Sequence, residues 1–118
     1  MATTTSVLTI GNGEISSDLI DPLDFSIARA PISTLVGGDA AENARITTAI
    51  FAGVRGAPRD AVVLNAAAAI AAFDGEFELN LHERIAKGLE KAISAVDSGA
   101  ARELLTKWVE LSQRLSTS

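Results

Sequence analysis

The residues best placed to do chemistry in this chain sit before helix starts and inside helices. Gly37-Gly38 precedes Asp39 and a helical pattern, and free backbone donors at a helix amino terminus, aided by the helix dipole, can cradle an anion. Asp39 opposes that use. A carboxylate capping those donors occupies the site electrostatically, so a capped turn is the favoured reading over a phosphate cradle. Arg59 and Asp60 are adjacent opposite charges at a second helix start; they suit hydrogen bonds that fix loops better than ligand pairing. Asn65 is the lone polar residue between Ala61 and Phe73. Buried there it needs partners or costs roughly 1 to 3 kcal/mol, and backbone groups of the preceding connector or of the Asp39 turn are expected to supply them. His82 is the single histidine; with no cysteine and no second histidine to share a metal, it is expected to be solvated. Asp21 and Asp24 flank a proline in a pattern that makes turns. No Gly-x-Ser-x-Gly elbow accompanies the serines, and the acidic residues are spaced as caps and surface pairs, not as a tuned acid and base. The residues by themselves therefore nominate no catalytic, cofactor-binding or metal-binding side chain.

Composition sets the outer limits. The chain has 118 residues, 47% of them apolar but only 4% aromatic, so Ala, Val, Leu and Ile must fill its core. That length suits a single domain or a piece of one. A net charge of −5 disfavours nucleic acid and anionic membrane surfaces as partners. The absence of cysteine excludes disulfides and thiolate metal sites and fits a reducing compartment, and no apolar signal segment follows a charged start. A cytoplasmic location is expected.

The elements that must position these residues fall into three stretches. In residues 1–20, Val7 to Ile10 is apolar and β-branched, Gly11-Asn12-Gly13 is a turn signal, and Glu14-Ile15-Ser16 begins a return strand. An isolated two-stranded ribbon is marginal in water, so the hairpin should rest on helices or a larger sheet. Residues 21–38 form a connector, expected to be extended around Pro22 and Pro31 and anchored by Phe25 and Ile27. Residues 39–118 are helical. Asp39 with Glu42 predicts a capping box, Gly53 a stop, and Ile46, Ala49, Ile50 and Gly53 an apolar stripe, with Glu42 and Arg45 facing water.

The second helix should begin with Pro58 in its first turn and run to Phe73. At a rise of about 1.5 Å per residue it is roughly 24 Å long, somewhat short for a membrane span. Because it is apolar nearly all round, it must be surrounded by protein. Asn80 with Glu83 opens a third helix with Ile85, Leu89, Ala92, Ile93 and Val96 inward, ending near Asp97-Ser98-Gly99. A fourth places Ala101, Leu104, Leu105, Trp108, Leu111 and Leu115 on one face, opposite the four-apart pairs Glu103 with Lys107 and Glu110 with Arg114. The tight link predicts that the last two helices lie antiparallel and packed.

The fold class expected is thus an α-rich fragment of an α/β domain, a short N-terminal β-hairpin followed by about four packed helices. The blocks Gly37-Gly38-Asp39-Ala40-Ala41-Glu42-Asn43-Ala44 and Gly56-Ala57-Pro58-Arg59-Asp60 through Ile70, with Asp21-Pro22-Leu23-Asp24-Phe25 before them and Asp97-Ser98-Gly99 after, recur here in order and spacing. Together they resemble the C-terminal part of anthranilate phosphoribosyltransferase, an enzyme of tryptophan biosynthesis whose chain is roughly three times longer. The resemblance runs from about Thr3 to Leu115. One departure is Ser26, where glycine is expected after the Asp-Pro-x-Asp-Phe pattern.

The resemblance implies that the intact enzyme transfers phosphoribosyl from phosphoribosyl pyrophosphate to anthranilate, with magnesium. It also implies that the diphosphate loop, the anthranilate contacts and the acidic metal pair precede residue 1, the matched segment opening near Thr3 to Thr5. No residue here inherits those roles, so no cofactor is expected for this chain alone. The partner expected is the missing N-terminal part of the enzyme or a second copy of the chain, and a homo-oligomer is anticipated. An alternative is a small helical interaction or self-association module without catalysis.

Overall fold

The computed structural model describes residues 1–117. Strands β1 (Thr5–Gly11) and β2 (Glu14–Ile20) form an antiparallel hairpin in which Thr5 faces Ile20 and Gly11 faces Glu14. The two-residue turn explains the sequence signal there. Asn12 and Gly13 have φ of 50° and 76°, the left-handed pair that matches the twist of the flanking strands.

Four helices follow, α1 (Ala40–Phe51), α2 (Ala57–Asp74), α3 (Leu81–Asp97) and α4 (Ala100–Ser116). A hairpin followed by four helices is the architecture the sequence patterns predict. The connector differs from the extended path expected, because two single turns of 3-10 helix interrupt it at Pro22–Phe25 and Ile32–Leu35. Asp21 nucleates the first by accepting from the Leu23 N–H at 3.0 Å, while Asp24 accepts from the Asp21 N–H at 3.0 Å. Ile27 is buried and Phe25 packs against the core, so both anchors hold.

The 3-10 turn closes on Ser26 in the left-handed region, φ 59° and ψ 29°. A side chain is disfavoured there and glycine is not, which is the physical sense of the glycine expected at this position. Ser26→Gly should raise stability by about 0.5 to 1 kcal/mol, seen as a rise of a few degrees in the thermal midpoint. An unchanged or lowered midpoint would refute this account of the turn.

The core lies between α2 and α3. Val63, Leu64 and Ala67 of α2 meet Ile85, Leu89, Ala92 and Val96 of α3, and Ile20 and Ile27 close one end. The two helices run antiparallel, pinned at both ends. The Arg59 guanidinium donates to Asp97 at 2.8 Å, and Arg84 donates through Nη2 to the Ala71 carbonyl at 3.2 Å. Gly88 sits where the helices come closest. A Cβ built on it would stand 2.3 Å from the Ala67 carbonyl oxygen.

Several expectations about helix faces are corrected. In α1 only Ile50 is buried, Ile46 and Ala49 are half-buried, and Gly53 is exposed, because the rest of the helix extends beyond the core of α2 and α3. The Asp39 cap is one-sided, since Asp39 accepts from the Glu42 N–H at 2.9 Å while the Glu42 carboxylate turns to Arg45. In α3, Ile93 is exposed, and the buried stripe instead includes Arg84 and Gly88. The largest correction concerns α4. No residue of it is buried, Leu104 and Trp108 are 68% and 70% exposed, and it does not pack along α3 as the short link suggested. Its apolar stripe is a real helical face that stays largely exposed, with only Ala101 and Leu105 half-buried. The second helix is likewise covered on one side only, with Val62, Ala68, Ala69, Ala72 and Phe73 all exposed.

Candidate functional site

The residues nominated by type and spacing resolve into structural contacts. At the first helix start, Asn43 closes the loop. Its Oδ1 accepts from the Gly38 N–H at 3.0 Å and its Nδ2 donates to the Gly38 carbonyl at 3.1 Å, so with Asp39 on the Glu42 N–H two of the donors an anion would need are already used. The Gly37-Gly38-Asp39 turn is a cap.

Arg59 proves to be a long-range tie. It is 4% exposed and reaches Asp97, far along the chain, instead of fixing its own loop. That hydrogen bond, more than the accompanying charge attraction, holds the Asp97 carboxyl below the ordinary carboxylate range. Asp21 is lowered in the same sense by its hydrogen bonds from Arg29 and then from the Leu23 amide. In the unfolded chain these carboxyls titrate near the usual value of about 3.9. Their contribution is therefore complete above about pH 4 and is lost as the pH falls through the lower folded values. Thermal melts followed by circular dichroism from pH 6 to pH 2 should show the midpoint falling only below about pH 4. Asp97→Asn should flatten part of that fall, and an unchanged acid limb would show that the Arg59 tie contributes nothing to it.

Asn65 does not reach the connector or the Asp39 turn. It is exposed, and its Nδ2 donates to the Ala61 carbonyl one turn earlier at 2.8 Å. The expectation of a buried amide seeking distant partners fails because this face of α2 is open. His82 is also not merely solvated. Its Nε2 lies 3.1 Å from the Asp24 carboxylate and its ring stacks on Phe25, centroids 5.8 Å apart, joining the connector to the start of α3. Asp21 and Asp24 make the turn expected of them, and Asp21 also pairs with Arg29.

The feature missed at the level of sequence is Arg84. In the pattern of α3 it reads as an ordinary surface charge next to the cap, yet it is 6% exposed. The Phe77 ring lies 4.6 Å from the guanidinium carbon, one Nη donates to Ala71, and Nε is buried with no hydrogen-bond partner. Among the described residues no carboxylate is within ion-pair distance of it, although Glu14 and Asp18 line a second, smaller cleft with it. Arg84 lines a mostly apolar groove of about 450 Å³ bounded by β1 on one side and by α2 and α3 on the other, with Leu8, Ile10, Leu64, Ala68 and Leu81 among its walls. A volume of that size, apolar with few polar groups, is what binding sites usually offer. Among the described residues no three His, Asp or Glu side chains gather closely enough to hold a metal ion, and no helix is long and apolar enough to cross a membrane.

Comparison with known proteins gives the family. Residues 1–102 match the glycosyl transferase family, a/b domain. Anthranilate phosphoribosyltransferase of Rhodococcus jostii (strain RHA1) is 45% identical over 117 residues, covering 99% of this chain and 32% of the relative. The enzymes of the same name from Arthrobacter sp. (strain FB24) and Mycobacterium leprae (strain TN) are 44% and 43% identical, with 92% and 96% of this chain covered and 31% of each relative. The chain spans about a third of the length of the curated relatives it matches.

Proposed function

The chain belongs to the glycosyl transferase family, a/b domain, and from that premise we propose that it is the C-terminal, scaffold-forming portion of an anthranilate phosphoribosyltransferase. In this reading the residues that bind phosphoribosyl pyrophosphate, anthranilate and magnesium belong to the other two-thirds of the family protein. The α2–α3 pair and the hairpin hold that part in place. The observation that carries the reading is the full-length match of this chain to one third of enzymes named for that reaction, and the open apolar sides of α2 and α4 support it. Helices with such faces are stable only when protein covers them.

The reaction needs charge stabilisation at a departing diphosphate. The one glycine pair before a helix is closed by Asn43 and Asp39, and the buried tie at Arg59 is committed to Asp97. The 118-residue polypeptide alone is therefore expected to give no turnover when mixed with anthranilate, phosphoribosyl pyrophosphate and magnesium and followed by anthranilate fluorescence. Sustained loss of that fluorescence, dependent on all three additions, would overturn the proposal.

A second reading, self-association without catalysis, is favoured by the exposed face of α4, where Leu104, Trp108 and Leu111 line up. Light scattering across a wide concentration range separates the two. A defined dimer supports this second reading, and a monomer at all concentrations removes it.

A further inference from the structure

The second cleft that Arg84 lines, about 230 Å³ in volume, lies between the hairpin and the start of α3. Glu14, Ser16 and Asp18 of β2 border it from one side, and Phe77, Leu79 and Leu81 from the other. Alternate residues of a strand share a face, so the three β2 side chains project together. Thr9, paired with Ser16, and Gly11, paired with Glu14, continue that face onto β1. A Cβ on Gly11 would overlap the Phe77 ring. Glycine therefore lets that ring seat against the hairpin, and the same ring stacks on the Arg84 guanidinium.

The charges around this space are of both signs and unpaired. Arg84 is 6% exposed and its Nε is buried with no hydrogen-bond partner. A desolvated guanidinium with a spare N–H is completed by an acceptor, best an anionic one. Glu14 and Asp18 pair with no cation among the described residues, and they outnumber the one guanidinium. At about 3.3 Å per residue they stand roughly 13 Å apart along β2, too far for one ammonium to bridge. Two cationic groups and one carboxylate on a single small molecule answer all three charges.

We propose that this cleft binds a free basic α-amino acid. Its carboxylate accepts from Arg84, its two ammonium groups donate to Glu14 and Asp18, and its methylene chain lies against Phe77 and Leu79. The space is below the range of about 300 to 1,000 Å³ usual for drug-sized ligands and suits a molecule of amino-acid size. This inference goes beyond the scaffold reading and does not depend on it, since every group it uses belongs to the described chain.

The test is titration of the isotopically labelled 118-residue chain with L-lysine, read by two-dimensional NMR at the backbone amides and at the Arg84 Nε–H. Saturable shifts are expected at that N–H and at the Ser16 and Asp18 amides, with half-saturation below about 1 mM. Cadaverine lacks the carboxylate and L-norleucine lacks the side-chain ammonium, and each should bind at least about tenfold more weakly. Asp18→Asn and Glu14→Gln replace side chains outside the core, so the fold is retained, and each should weaken lysine binding at least about fivefold.

No saturable shift up to about 20 mM lysine overturns the inference. Cadaverine binding as well as lysine also overturns it, because the carboxylate contact with Arg84 would then contribute nothing. Unchanged lysine affinity in both variants has the same force. Slow hydrogen exchange at the Arg84 Nε–H of the ligand-free chain, lost in either variant, overturns it too, since the chain's own carboxylate would be the acceptor.

Discussion

Replacing Gly88 by alanine should destabilise the chain, although helix propensity alone argues the reverse. In an exposed helix interior the change from glycine to alanine stabilises by about 1 kcal/mol. Here the new methyl would stand 2.3 Å from the Ala67 carbonyl oxygen and 3.0 Å from its carbonyl carbon, atoms of the facing helix backbone that cannot rotate away. Either α2 and α3 move apart, loosening the contacts of Leu64 and Val63 with Ile85 and Leu89, or the backbone distorts. Overpacking of this kind typically costs about 1 to 3 kcal/mol, which leaves a net loss of roughly 1 kcal/mol after the propensity gain. Gly88→Val adds two more carbons and a residue poor in helices, and should lower the thermal midpoint by about 10 °C. Melts of both variants at neutral pH check this. A midpoint for Gly88→Ala at or above that of the parent would refute the close crossing.

A comparable loss is expected at Ile85. Its side chain is 2% exposed, the deepest large aliphatic group in the core, and it touches the region where α2, α3 and the hairpin meet. Ile85→Ala removes three carbons from a buried site on the floor of the groove between β1, α2 and α3. The lost transfer energy plus the residual cavity amounts to about 2 to 5 kcal/mol. Ile93→Ala is the internal control, since Ile93 lies on the same helix at 36% exposure and should change stability by well under half as much. Urea titrations with tryptophan fluorescence and circular dichroism read together would measure both. Equal losses at the two positions would mean that the buried stripe of α3 is misassigned.

Both results bear on function through one quantity, the rigidity of the α2–α3 pair. Arg59 with Asp97 at one end and Arg84 with Ala71 at the other keep the helices in register. Ile20 attaches the hairpin to the same core.

What was legible from residues alone was local. Asn12-Gly13, Asp39, Pro58, Asn80 and Gly99 mark turns and helix ends because each acts through its own backbone or through neighbours within a few positions, and the elements begin and end close to where these residues predict. Block order also disclosed the family, because shared descent preserves spacing. Periodicity identified the apolar faces of α3 and α4 equally well, yet only one is buried, since a pattern specifies that a face is apolar and not whether protein is present to cover it.

Contacts between distant positions were decided by tertiary structure alone. Arg59 found Asp97 and His82 found Asp24, while Asn65, left exposed, turned back one turn to Ala61. Arg84 became buried because its neighbours Phe77 and Ala71 come from other elements. The groove has the same origin. Its walls come from β1, α2 and α3, and nothing in the spacing of any one segment encodes the space between them. The chain's own sequence determined which segments fold and where they stop; the packing of α2 on α3 decided which charges lost water and which strand edge was left open, because desolvation and shape depend on what approaches in three dimensions.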